Sequence, residues 1–220
     1  MLDVFNTAKP TGCDIQTFYG ERRSSGSSTA NSCQRVWNKP RGVSHVYILL
    51  IGGGGSGDGA SGGGSGAVTV WYGAAQNIPD SLIVVAGQAI NTTVNARVAN
   101  SALTPAALLI ATTATSTSGA GASSAPVFAS SGFYQSTAGQ AGSTGNVNPS
   151  ATTFLSGGGF SGNTVTANYG YKTGTDGNGF FQMQPIIIGV GAAGGFDGGY
   201  GCGGGYAGQG GPGLVLIASW

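Results

Sequence analysis

Val43-Ser44-His45-Val46-Tyr47-Ile48-Leu49-Leu50-Ile51 runs without a break into Gly52-Gly53-Gly54-Gly55. The first part is β-branched, aromatic and too short for a helix of ordinary length, so it reads as a strand. Val46–Ile51 is apolar at every position, which places it in the middle of a sheet with both faces covered. Beyond Ile51 the composition changes abruptly. Residues 52–66 hold 10 Gly in 15 positions, and residues 189–213 hold 14 in 25. A smaller cluster is Gly157-Gly158-Gly159.

Working outward, the other apolar patches are also short and bounded by Gly, Pro, Asn and Ser. Strands are expected over 67–72, 82–85, 92–98, 108–113, 180–183, 186–190 and 214–220, besides 43–51. Helix signals are nearly absent. Strands recurring with turn signals between them imply an all-β sandwich or barrel. The stretch 111–156 is rich in Ser, Thr and Ala and broken by Gly and Pro. It reads as long polar loops or a tip. Residues 1–35 have too little pattern for a core of their own and are expected to form an attachment segment, with Phe5, Phe18, Tyr19, Arg22 and Arg23 as contact residues. The domain proper is 36–220.

Composition narrows the class. The chain has 220 residues, 44 of them Gly, a net charge of +1 and only 7% charged side chains. Disordered chains combine low hydrophobicity with high net charge, and here 40% of residues are hydrophobic. Collagen needs Gly at every third position, and no such register holds. Eight basic residues in all argue against nucleic-acid binding through a basic face. No apolar run approaches the roughly 20 residues of a membrane helix, and the N-terminus lacks the basic and apolar regions of a secretion signal. Cys13, Cys33 and Cys202 fit no disulfide framework or zinc spacing, although Cys13 and Cys33 are close enough in sequence to pair.

Oligo-Gly in a folded domain needs compensation, because glycine loses the most backbone freedom on folding. Extended threefold helices of the polyproline II type supply it. Without Cβ atoms they pack side by side and bond through their backbones. The residues expected to pack this way are Gly52, Gly53, Gly54, Gly55, Gly62, Gly63, Gly64, Gly157, Gly158, Gly159, Gly203, Gly204 and Gly205. The competing reading is flexible linkers.

Catalytic and cofactor motifs read weakly. Gly52-x-Gly54-x-x-Gly57 matches a dinucleotide fingerprint, but Asp58-Gly59-Ala60-Ser61-Gly62 cannot open the required helix. Neither oligo-Gly tract is followed by the lysine of a phosphate-binding loop. His45, the single histidine, reads as a strand residue facing solvent or a neighbouring loop. Asp58, Asp80, Asp176 and Asp197 read as turn or loop aspartates bonding local backbone. The alternative is a glycan-cleaving carboxylate pair, with Asp58 and Asp197 meeting if the tracts pack together. Phe160, Tyr169, Tyr171, Phe196, Tyr200 and Tyr206 punctuate the glycine tracts. They either cover the polyglycine layer or form contact surfaces for sugars or proteins.

The passage Val36-Trp37-Asn38-Lys39-Pro40-Arg41-Gly42-Val43, then the strand to Ile51 and Gly52–Gly55, resembles the opening of the glycine-rich domain of bacteriophage tail fibres and related virion proteins. Asp80–Gly87 resembles that family's second strand and turn. Gly203–Ile217, with Trp220, resembles its closing tract and last strand. The resemblance covers 36–87 and 186–220. It implies a jelly-roll-like β-sandwich layered with polyglycine helices, and a structural or host-contacting place on a virion. The resulting expectation is a non-enzymatic capsid or tail decoration protein, without cofactor or metal. Its partners would be other virion proteins and further copies of itself, a trimer before other orders. The alternative is a receptor-binding adhesin or fibre tip touching a host surface glycan or protein.

Overall fold

The computed structural model describes residues 13–20, 34–58, 61–87, 95–100, 107–123, 131–139, 141–142 and 197–220. Nine strands are described: β1 (Asp14–Tyr19), β2 (Gln34–Asn38), β3 (His45–Ile51), β4 (Val68–Ala74), β5 (Ser81–Val85), β6 (Ala96–Asn100), β7 (Ala107–Ala111), β8 (Gly132–Thr137) and β9 (Leu214–Ser219). Among the described residues the only helix is the 3-10 turn Ala75–Asn77, so none there is long and apolar enough to cross a membrane. The fold is all-β, in two antiparallel sheets ordered β1-β9-β3-β4-β8 and β2-β5-β6-β7.

Period-two alternation decides the layers. Val46, Ile48 and Leu50 of β3, Trp71 of β4, and Val215 and Ile217 of β9 face the second sheet. That sheet answers with Trp37, Leu82, Val84, Val98 and Leu109, and together these residues form the sandwich core. The intervening positions Leu49, Ile51, Leu214, Leu216 and Ala218 form a second buried cluster on the other face of the five-stranded sheet. β3 is therefore covered on both sides, as its unbroken apolar sequence requires. Trp71 needs room on its own sheet: a Cβ at Gly73 or at Gly132 would strike its indole.

Strand β3 starts at His45 rather than Val43, because Arg41 and Gly42 make a turn in which Gly42 sits at φ +81°. Lys39 ties this corner. Its Nζ donates to the carbonyls of Ala75 and Ile78, 3.0 Å each, and pairs with Asp80 at 2.8 Å. The hydrogen bond and the charge of Lys39 hold the Asp80 carboxyl below its ordinary range. Burial pushes the Tyr47 phenol above its own.

Three strands, β1, β2 and β8, have no counterpart among those expected from sequence, and two of them lie in the regions read as attachment segment and polar tip. β1 pairs with β9 along its whole length, and β8 pairs with β4 from Val68↔Thr137 to Gly73↔Gly132. The expected strands 180–183 and 186–190 lie outside the described residues.

Candidate functional site

One end of the sandwich continues into chain that is neither helix nor strand. β3 leads into run a (52–58), and run b (61–67) leads into β4; β7 leads into run c (112–120); runs d (201–205) and e (208–213) precede β9. Ile51 pairs with both Val68 and Leu214, so runs a, b and e leave the same sheet side by side. Gly52–Gly55, Gly62–Gly64 and Gly203–Gly205 are all buried and brought together here. Gly157, Gly158 and Gly159 lie outside the described residues.

The hydrogen bonds show how a side-chain-free interior is satisfied. Gly52 N donates to Ala67 O of run b at 2.8 Å, Gly53 N to Thr113 Oγ1 of run c at 3.0 Å, and Gly54 N to Gly211 O of run e at 2.9 Å. Gly55 N returns to run b, at Gly64 O, Gly57 N to run e, at Gly208 O, and Asp58 N to run b, at Ser61 O. Bonds from run a to run b therefore recur at 52, 55 and 58, and bonds to run e at 54 and 57. The same step of three joins Gly63 and Gly66 of run b to Gly204 and Gly201 of run d, and Gly208 and Gly211 of run e to Gly205 and Cys202 of run d. A strand sends its N–H groups alternately to two sides. Here successive groups turn through three directions.

The price of this arrangement is intolerance of side chains. A Cβ on Gly54 would overlap the Cys202 carbonyl, and one on Gly63 the Gly55 carbonyl. Fixing a residue's backbone costs about 1–2 kcal/mol, and one hydrogen bond returns about 0.5–1.5 kcal/mol. Near-complete bonding, and anchorage of runs a, b, c and e on strands, are both needed for such a layer to stay ordered.

Run c departs from the polar-tip reading of 111–156. Thr113, Ala114 and Ala120 are buried; Ala114 N donates to Gly53 O, and Ala120 N to Ser65 O. Small residues can line the edge of a glycine layer, and a Thr hydroxyl replaces a backbone acceptor at Gly53. Residues 139 and 142 extend the layer by donating to Ala120 O and Thr117 O.

The remaining candidates separate. Phe18 packs against the sandwich core, whereas Tyr19 is 45% exposed with its ring 5.1 Å from Tyr200. Phe5, Arg22, Arg23, Cys33, Phe160, Tyr169, Tyr171, Asp176 and Phe196 lie outside the described residues. Asp58, at the end of run a, accepts from Ser61 N, at the start of run b, at 2.7 Å, and Asp197 accepts from Gln209 N at 2.8 Å. Tyr206 is exposed at the turn between runs d and e. His45 lies against Tyr72 and Trp220, a grouping that sequence reading missed. No signal in the sequence could find it, because 175 positions separate His45 from Trp220 and only the β3–β9 pairing joins them.

Comparison with family models, with curated proteins and with solved structures finds no match to this chain.

Proposed function

We propose that this chain is a non-enzymatic structural protein of a bacteriophage virion, a decoration component of capsid or tail. In this reading the sandwich is jelly-roll-like and runs a to e are packed polyglycine helices of the polyproline II type. The observation that carries it is the three-residue recurrence of bonds from run a to runs b and e. Three residues per turn, extended chain and no internal bonds are the properties of that helix. The strand order, with β2 in one sheet, β3 and β4 in the other, and β5 to β7 back in the first, supports the jelly-roll-like description.

A bundle of this kind is stiff, thin and nearly uncharged. Those properties suit close packing against further copies, a trimer first, and against neighbouring virion proteins. The adhesin reading is favoured by one feature. Asp58 and Ser61 and the turn at Tyr206–Ala207 fall together at the end of the bundle remote from the sheet, since Gly57 bonds Gly208 and Gly63 bonds Gly204. Exposed turns on a rigid support are where recognition commonly resides.

Quantitative mass spectrometry of purified particles from the source of this sequence tests both readings. Many copies per particle supports decoration, and a few copies supports the adhesin. Absence from purified particles overturns both.

A further inference from the structure

The outermost strand of a sheet presents backbone groups on its free side, and folds usually blunt that side with charge, proline or a bulge. Four strands hold such a position here: β1 and β8 in the five-stranded sheet, β2 and β7 in the other. β1 carries Asp14, β2 carries Arg35, and the ladder of β7 with β6 is interrupted by a register shift at Val98/Ala99. β8, Gly-Phe-Tyr-Gln-Ser-Thr, has none of these devices. Its register with β4 is unbroken, and no Asp, Glu, Lys, Arg or His occurs between Arg97 and Lys172.

Hydrogen-bond parity shows which groups of β8 turn outward. His45 and Trp220 exchange both bonds, at 3.0 and 3.1 Å, so odd-numbered residues of β3 turn to β9. Even-numbered positions on that side of the chain turn to β4: Ala75 N donates to Ser44 O and Gly52 N to Ala67 O, 2.8 Å each. β4 therefore bonds β3 through odd positions and β8 through even ones. Those are Val68, Val70 and Tyr72, whose partners are Thr137, Gln135 and Phe133. The alternate positions of β8, Gly132 and Ser136 among them, aim N–H and C=O away from the sheet. Neither Gly132 nor Ser136 has a backbone bond to a described residue on that side. Gly132, Phe133 and Gln135 are exposed, Phe133 to 58%.

We propose that the free edge of β8 pairs antiparallel with β8 of a second copy of this chain, joining two five-stranded sheets about a twofold axis. The strand's own properties choose this occupant. An antiparallel pair in one continuous sheet aligns residues that share a face. The register that matches every outward-turned position sets Gly132 of each copy opposite Ser136 of the other, and Phe133 opposite Gln135. It reads the same from either copy, as a twofold contact requires. Phe133 and Gln135 then form a pair without hydrogen bonds, where side chains come closest, and the exposed ring is covered. A neutral strand meets its copy without repulsion, whereas β1 or β2 would bring like charges together. Two strands of this length bury less than the roughly 800 Å² per partner of a stable complex, so the pairing is weak, in the micromolar-to-millimolar range. It does not depend on the virion reading, and a trimer built through another surface would leave β8 open.

The test is sedimentation of the full-length chain from about 10 μM to 1 mM at low salt, with amide exchange measured at both ends of that range. A monomer–dimer equilibrium is expected, with exchange at Gly132 and Ser136 slowing as the dimer fills. Phe133, Gln135 and Thr137, bonded to β4, should be protected at every concentration. Gln135→Lys and Gln135→Glu change an exposed side chain and place like charges diagonally across the contact. Each should weaken pairing about threefold, and mixing the two variants should restore it. A monomer throughout the range overturns the proposal. So does a dimer that neither variant weakens, or a dimer or trimer in which Gly132 and Ser136 exchange as fast as in the monomer.

Discussion

The sandwich and the glycine bundle solve one problem in opposite ways. Between the sheets, Trp37, Ile48, Leu50, Trp71 and Leu82 exclude water with large side chains, and the backbone bonds lie within each sheet. In runs a to e the residues are mostly glycine or carry small side chains, and the backbones of five separate segments bond to one another in three directions. The sandwich draws its stability from buried apolar area, at about 25 cal/mol per Å². The bundle has little such area and depends on hydrogen bonds and close backbone approach. The sandwich is thus the unit able to stand alone, and the bundle stands on it, because runs a, b, c and e each continue a strand.

That dependence can be broken from either side. Trp71→Ala removes the largest side chain common to the core and to the glycine contacts of β4 and β8. It should cost about 3–5 kcal/mol, with sheet and bundle lost in one transition by calorimetry. Gly54→Ala should cost about 3 kcal/mol or more, since the intruding methyl meets a backbone carbonyl that no rotamer change relieves. Amide exchange should then accelerate in 52–58 and 208–213 while β3 and β9 stay protected. Gly121→Ala sharpens the contrast: nothing lies within 4 Å of the added Cβ, so its melting midpoint should correspond to a change within about 0.5 kcal/mol.

Smaller effects are expected at the borders. Lys39→Met leaves the Ala75 and Ile78 carbonyls without their donor and should lower stability by about 1–2 kcal/mol in urea titration. Asp80→Asn should do less, because Asp80 is solvent-exposed. The lowered Asp80 pKa sets the pH dependence. The stabilisation from this carboxylate is present above its unfolded value of about 4 and is lost as pH falls through the lower folded value. Asp80→Asn should remove that acid-side slope. Ala207→Gly is expected to stabilise the bundle by about 0.5 kcal/mol. Ala207 holds φ +56° at the turn Gly205–Gly208, a conformation that costs a residue with a Cβ about 1–2 kcal/mol, partly offset by the extra freedom of glycine when unfolded.

Legibility in the sequence divides along the same line. β3, β4, β5, β7 and β9 carry unbroken or alternating apolar residues, and their place can be read directly. β8, Gly-Phe-Tyr-Gln-Ser-Thr, opens on a glycine that only the Trp71 indole explains. β1 and β2 expose most of their side chains or half-bury them, so their pairing with β9 and β5 leaves little trace in their own composition. Run c reads as surface because Ser and Thr usually are. It is buried where Thr113 and Ala114 meet a neighbour with no side chains of its own.

The sequence by itself determined that this chain is all-β and that its glycine tracts sit at strand ends, since both are local properties of composition and period. Only the tertiary structure decided which tract bonds to which, that Thr113 joins them, and that His45, Tyr72 and Trp220 share a face. Each of these depends on strand register. Register is fixed by contacts between residues far apart in the chain, and no single segment carries that information.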